Sequence, residues 1–246
     1  DGQSSMGYDV FQINFENNLI QNEEIITIRT INKVQRQNSN ITDFYSITNS
    51  PLTFKVEFYC TKPITEEKKY SIIRWLKKDT YKTLRFDTMP DTYYYVIATK
   101  IDIGHNSMQR GYFSVEFECN SPYGYTRVLT SDEYIISGTE NVKINSLSVF
   151  DTSIIKLLVK TNGNGDLLIK NLSNDTEINL SDLDADIKIT IDCLNHSLYA
   201  LDDSDNEILI QDKKQNHSWL EFVPGVNNLS LNGNCEIQIL WQGIKI

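Results

Sequence analysis

Three histidines, four cysteines and 33 acidic residues are the groups through which this chain could do chemistry. His105 lies beside Gly104 and Asn106 in a connection between strands, and His196 and His217 occupy Asn-His-Ser turns. None has a nucleophile or acid in a motif context, and no Gly-x-Ser-x-Gly, His-Glu-x-x-His or Gly-rich phosphate loop occurs. Cys193 and His196 have the Cys-x-x-His spacing of half a zinc site, but a structural site needs four ligands and no second half follows. The run Asp202-Asp203-Ser204-Asp205-Asn206-Glu207 is dense in oxygen ligands. It lacks the Gly at the bend and the distant bidentate Glu of a calcium loop, so it reads as a polar hairpin turn. Asp182, Asp184 and Asp186 read as a solvated edge leading into a strand. Glycosidase carboxylates converge in space and not in sequence, so an acidic chain supplies accidental pairs and no argument for an enzyme. No catalytic residue, metal ligand or cofactor site is expected. Trp219, Trp241 and Tyr199 are candidates for sugar or partner contact, against the alternative that the indoles are core or rim aromatics.

Composition narrows the remaining classes. With 23 basic residues against 33 acidic ones the net charge is −10, which argues against a surface that holds duplex DNA by counterion release. No apolar run approaches the roughly 20 residues of a membrane-spanning helix, so no membrane insertion is expected. The opening Asp1-Gly2-Gln3-Ser4-Ser5 has neither the basic nor the apolar region of a secretory leader. Cys60 and Cys119 each close a strand before a Pro turn. They are expected as free buried thiols near each other in one sheet, with a bridge as the alternative.

The elements that must position these groups are mostly strands. Val10 to Phe15 and Glu24 to Ile31 read as strands around Gln21-Asn22-Glu23, and Leu52 to Cys60 alternates with Phe54, Val56 and Phe58 on one face. A helix over 65–78 follows Pro63, with Thr65 as N-cap, Glu66 and Glu67 in its first turn, and Ile72, Ile73 and Leu76 as its buried stripe. Beyond Pro90-Asp91, a long strand carries Tyr93, Tyr95, Ile97, Thr99, Ile101 and Ile103 on one face. Its hairpin partner carries Phe113, Val115, Phe117 and Cys119. Gln35, Arg36, Gln37, Asn38, Ser39 and Asn40 form a polar segment that reads as a loop or the tip of an extended hairpin.

After Leu129-Thr130-Ser131-Asp132-Glu133, which reads as the passage between domains 1–132 and 133–246, no helical pattern recurs. Short strands are expected at Val142 to Phe150, Ile154 to Lys160, Asp166 to Asn171, Glu177 to Leu180, Asp186 to Asp192, Ser197 to Leu201, Glu207 to Ile210 and Trp219 to Phe222. Two more, Asn228 to Leu231 and Glu236 to Trp241, flank a turn at Asn232-Gly233-Asn234. Many short strands between Gly and Asn turns imply a sandwich or jelly roll.

Several stretches carry a resemblance. Ile73-Arg74-Trp75-Leu76, Leu84-Arg85-Phe86-Asp87, Tyr93-Tyr94-Tyr95 and Phe117-Glu118-Cys119 come in that order, and Phe222, Pro224-Gly225 and Asn227 precede the last strands. In this the chain resembles the distal tail proteins, the baseplate hubs of long-tailed non-contractile bacteriophages. The resemblance implies a mainly β fold: an N-terminal β-barrel or sheet domain with one helix, and a C-terminal galectin-like β-sandwich without a sugar site. No His-x-Asn-Pro-Arg galactoside motif is present. It further implies a structural tail-tip protein and not an enzyme: a homo-hexameric ring joining the tail tube protein to the tail-associated hub or lysin protein and to receptor-binding or side-fibre proteins. DNA would pass through this ring without being held, repelled by a carboxylate-lined lumen. Such a protein resides in the virion, at the tail tip, after assembly in the host bacterial cytoplasm. The arm at Gln35 to Asn40 would reach the neighbouring subunit, and the C-terminal domain would be the docking face for host recognition. A carbohydrate-binding sandwich serving attachment to the host surface is the alternative.

Overall fold

The computed structural model describes residues 3–13, 29–36, 40–105 and 111–245. Most of the expected strand from Glu24, the turn before it, residues 37–39 and the connection at 106–110 lie outside the described residues. The fold is mainly β, in two compact units. The first runs to Gly124 and the second covers Tyr125–Lys245.

The first unit contains β1 (Val10–Ile13), β2 (Arg29–Gln35), β3 (Thr42–Asn49), β4 (Thr53–Cys60), α1 (Glu66–Leu76), β5 (Lys82–Leu84), β6 (Tyr94–His105) and β7 (Gly111–Cys119). An antiparallel sheet in the order β1-β4-β7-β6-β5 buries one face under α1. Phe58 stacks on Phe113 at 4.7 Å, and Val56, Val115, Phe117 and Ile72 complete the layer. Thr65 caps α1 by accepting from Lys68 N at 3.2 Å, satisfying an amide that the first turn leaves without a carbonyl.

Two expected patterns shift phase. Ile72 and Leu76 are buried as an i, i+4 pair, but Ile73 is exposed. Trp75, one step around the other side of that pair, takes its place and stacks on Tyr8 at 4.5 Å. In β6 a bulge between Ala98 and Lys100 reverses the alternation. Ile101 and Ile103 do pack on the core. Before the bulge it is Tyr94, Val96 and Ala98 that do so, leaving Tyr95 and Ile97 on the other face.

Cys60 and Cys119 are both free and buried, and they are not neighbours. Both end their strands, and those strands are antiparallel, so the thiols sit at opposite ends of β4 and β7. Seven register pairs, Thr53↔Glu118 to Tyr59↔Tyr112, lie between them. That is about 24 Å of strand, far beyond disulfide reach.

The second unit begins within β8 (Gly124–Tyr125) and contains β9 (Leu129–Thr130), β10 (Tyr134–Asn145), β11 (Ile155–Thr161), β12 (Gly165–Asn171), β13 (Glu177–Leu183), β14 (Lys188–Asp192), β15 (Ser197–Leu201), β16 (Glu207–Ile208), β17 (Val226–Trp241) and β18 (Ile244–Lys245). Its sheet, β13-β12-β17-β11-β14-β15-β16 with β10 and β9 on the other edge of β17, is curled into a β-sandwich around one core.

The turn expected at Asn232-Gly233-Asn234 does not exist: β17 is a single 16-residue strand. β10 pairs with it from Val226 to Ile237 and runs without interruption past Gly233. Gly233 is small for another reason, since a Cβ there would come within 3.2 Å of Asp166 O and 3.3 Å of Leu167 Cδ1. Trp219–Phe222 is likewise not a strand, and only Phe222 forms an isolated bridge, to Thr152. Strand structure in β10 stops at Asn145, short of the expected Phe150.

Phe222 and Asn227 are buried at either end of the turn through Gly225, and the Asn227 side chain clamps it. The Asn227 side chain donates to Val223 O at 2.9 Å and Gly225 O at 3.2 Å, while its Oδ1 accepts from Val223 N at 2.9 Å and Asn171 Nδ2 at 2.8 Å. Gly225 supplies the positive φ of 83° that this turn needs. Replacing Asn227 by Leu removes the acceptor of Val223 N and Asn171 Nδ2, while Val223 O keeps the Ser146 hydroxyl and Gly225 O keeps Ser146 N. It is expected to cost about 3 kcal/mol, read from denaturant melts.

Asp9 ties the start of the chain to the helix. Its carboxylate pairs with Lys62 at 2.9 Å and Lys68 at 3.1 Å, and hydrogen bonding from Lys62 and then Lys68 holds its pKa below the usual 3.8. A carboxyl depressed on folding contributes stability that is full above its unfolded pKa and is lost as pH falls through the lower folded value. Below pH ~4 the wild type should therefore lose more stability than Asp9→Asn, a difference that thermal melts across pH 2 to 7 would show.

Candidate functional site

The two-stranded sheet of β2 and β3 is the place where the molecule leaves a surface unfinished. Its register, Arg29↔Asn49 through Asn32↔Ser46, then a bulge, then Lys33↔Phe44 to Gln35↔Thr42, sorts the side chains onto two faces. One face carries Thr30, Thr48, Asn32 and Ser46, with Val34 and Asp43 beyond the bulge. Asn32 Nδ2 donates to Ser46 Oγ at 2.9 Å and Thr48 Oγ1 at 3.0 Å, a polar ladder content in water. The opposite face carries Ile31, Ile47 and Phe44, with Arg29 and Lys33 flanking them.

Among the described residues nothing covers that second face. Phe44 is 66% exposed, Ile31 54% and Ile47 39%, and Tyr45, the extra residue of the bulge, is 75% exposed. None of them belongs to the core of the first unit. A two-stranded ribbon has no second layer on which to bury an apolar face, and such a face is a docking surface in waiting. The ribbon is rooted firmly: Asn49 Nδ2 donates to Tyr123 Oη at 3.2 Å, and Leu52, just before β4, exchanges backbone hydrogen bonds with Ser121 and Cys119.

Of the expected arm residues, Gln35 closes β2 opposite Thr42, Arg36 pairs with Asp43 at 2.6 Å, and Asn40 is exposed. Gln37, Asn38 and Ser39 lie outside the described residues. The polar tip is legible in adjacent residues, and the apolar face behind it emerges only once the two strands are paired. Its signal was present in Thr30-Ile31-Asn32-Lys33 and Ser46-Ile47-Thr48, two short alternating runs that face each other.

The aromatic candidates do not converge. Trp219 packs on the core of the second unit, with the His196 imidazole stacked parallel at 5.1 Å and Lys214 Nζ 4.7 Å from its ring centre, so indole surface a sugar would use is occupied. Burial lowers the Lys214 pKa, and its ammonium donates to Asn216 O and to Ser218 O at 2.7 Å. Trp241 packs against the same core, edge-on to Phe222 at 6.2 Å. Tyr199 stands on the outward side of β15, between the buried Leu198 and Ala200.

The candidate metal groups are accounted for as structure. Asp202 accepts from the amides of Ser204 and Asn206, both at 2.8 Å, and hydrogen bonding from Asn206 lowers its pKa. Cys193 is buried, its thiol pushed up to about 12 by desolvation. Asp182 and Asp186 adopt left-handed conformations, φ 52° and 59°, beside the β13–β14 connection. Among the described residues no three His, Cys, Asp or Glu side chains group as metal ligands.

A two-unit β protein whose most conspicuous surface is an apolar ribbon belongs with structural and assembly proteins. Residues 1–121 match the family described as a phage tail protein N-terminal domain, and residues 113–241 that described as a phage tail C-terminal domain. The chain therefore belongs to this family of phage tail proteins. Among solved structures its fold is that of the Dit protein of phage SPP1, described as a paradigm of the hub adsorption apparatus in phages infecting Gram-positive hosts. The TM-score is 0.67 at 14% identity, over 98% of this chain and 96% of that one. A chain of the phage P2 baseplate in its activated, Ca-containing conformation is also similar, with TM-score 0.51 and 14% identity over 96% and 90% of the two chains. No curated protein matches.

The arm's independence from the core is testable. Phe44→Ser with Ile47→Ser should change the unfolding free energy of the isolated subunit by about 0.5 kcal/mol or less. The buried Phe113→Ala should cost about 3–5 kcal/mol in the same denaturant melts.

Proposed function

We propose that the chain is a hub of the tail tip: six copies close into a ring that joins the tail tube protein to the tail-associated hub or lysin protein and to receptor-binding or side-fibre proteins. The observation that carries this reading is the uncovered apolar face of β2–β3, a surface that costs solubility unless another chain covers it. Membership of the phage tail family and the fold shared with the SPP1 Dit protein support it. The arm of one subunit reaches its neighbour, and a heterologous contact of this kind closes a ring when the rotation between subunits closes. The ring works by assembly and load transfer and catalyses nothing. It resides in the virion after assembly in the host cytoplasm, and its acidic chain lets DNA pass without holding it. Domain 1–132 forms the ring and domain 133–246 presents the outer docking face.

Light scattering over a range of concentrations, with negative-stain imaging of the heaviest species, tests the ring. A mass of six subunits and open-centred particles are expected, and removal of residues 35–40 should weaken association while leaving both domains folded. A monomer at every concentration overturns self-closure.

A further inference from the structure

Asn-Gly occurs three times in the chain, at Asn162-Gly163, Asn164-Gly165 and Asn232-Gly233. All three lie around one corner of the second unit, beside an open pocket of about 200 Å³ whose lining includes Gly163, Asn164, Asp166, Asn232 and Asn234. Asparagine is thermolabile, and glycine is the least hindered residue to follow it, because no Cβ shields the backbone nitrogen from the asparagine side chain. Attack needs a side chain free to swing and an N–H not held in a hydrogen bond. The fold treats the three pairs differently. Asn232-Gly233 lies inside β17, with Asn232 between Thr139 on β10 and Leu168 on β12, and Gly233 opposite Gly138. Asn164 is held through Oδ1, which accepts from Ala185 N at 2.8 Å, and Gly165 is paired in β12 opposite Leu183. Asn162-Gly163 lies between β11 and β12, outside any strand, and Asn162 is exposed. Among the described residues neither the Asn162 side chain nor the Gly163 N–H has a hydrogen-bond partner.

We propose that Asn162 is a site of spontaneous modification, at which the Gly163 nitrogen displaces ammonia from the side-chain amide. Gly163 N, deprotonated by solvent base, forms a bond to Asn162 Cγ while the Cγ–Nδ2 bond breaks, and Nδ2 leaves as ammonia after taking a proton from water. The cyclic imide then adds one water, which the pocket beside Gly163 admits. Hydrolysis at Cγ gives aspartate at this position. Hydrolysis at the main-chain carbonyl carbon gives isoaspartate, whose backbone runs through the side chain and is one methylene longer. The balance is one water taken up and one ammonia released, with no electrons transferred and no enzyme required. The packing maintains this reactivity. A Cβ on Gly163 would come within 2.5 Å of Asn234 Nδ2, so the corner keeps the residue that leaves Asn162 unprotected. Asn162 N also donates to Asn234 O at 2.9 Å, at the point where β17 exchanges β12 for β11. Isoaspartate lengthens the chain there, and either product adds a carboxylate to a chain already of net charge −10. The reaction does not depend on ring closure.

The test incubates the full folded chain in mildly alkaline buffer, beside the same chain in guanidinium chloride and the variant Asn162→Gln. Digestion and mass spectrometry locate each amide that has become an acid, and labelling by an isoaspartyl methyltransferase identifies the isoaspartate. In the folded chain Asn162 is expected to convert about fivefold or more faster than Asn164, which must first release Ala185 N. Asn232 should be slower still, since it reacts only when a ladder paired on both sides opens. In guanidinium chloride the three rates should converge, because each asparagine then precedes an exposed glycine. Asn162→Gln should remove the dominant conversion and leave the thermal melt unchanged, since glutamine has to close a larger, less favoured ring. If the variant melts lower, the comparison of folded with denatured wild type decides alone. A folded chain in which the three sites convert alike, or in which Asn162 stays intact while the denatured chain reacts, overturns the proposal.

Discussion

The backbone of β17 is the constraint on which the second unit depends. Its sixteen residues find partners on two edges, most of them from four other strands: β10 and β9 along one side, β12 and then β11 along the other. The change from β12 to β11 falls at Gly233 and Asn234, where Asn162 N bonds to Asn234 O at 2.9 Å. The neighbouring hairpin must turn there too, and Thr161 holds the corner with Oγ1, which donates to Asp184 O at 2.8 Å and accepts from Ile187 N at 3.0 Å. A sheet bent in this way folds onto itself, so one continuous strand generates both layers of the sandwich.

The first unit follows a different logic. Its sheet has a finished inner face, with ring stacking between Phe58 and Phe113 and between Tyr8 and Trp75, while β2 and β3 stand outside that core altogether. Self-sufficient packing and surplus apolar surface in the same unit are what a subunit of an assembly requires. A core of this kind stabilises the unit itself, and exposed apolar surface beyond it favours association.

How much of this could be read from the residues depended on whether a pattern was local. The cap at Thr65, the helix, the β6–β7 hairpin and the mainly β fold were legible because capping and period-two alternation are written in adjacent positions. The phase of β6 was not, because a bulge is fixed by the partner strand and leaves no mark in its own residues. Asn232-Gly233-Asn234 has the composition of a turn, and only the approach of Asp166 and Leu167 shows why a strand needs Gly there. The separation of Cys60 from Cys119 follows from strand direction, which similar local wording conceals. The apolar side of the arm spans two short strands whose alternation is significant only once they are paired, so the polar tip drew attention first.

All four cysteines are buried, and burial sets their chemistry. Desolvation raises all four thiol pKa values, to about 11 for Cys119 and Cys235 and about 12 for Cys193. At neutral pH they are almost wholly protonated and behave as small hydrocarbons, poor nucleophiles toward disulfides and alkylating reagents alike. The four thiols of the folded chain are thus slow to exchange with disulfides. A single cysteine placed on its surface would stand as the one reactive thiol in the molecule.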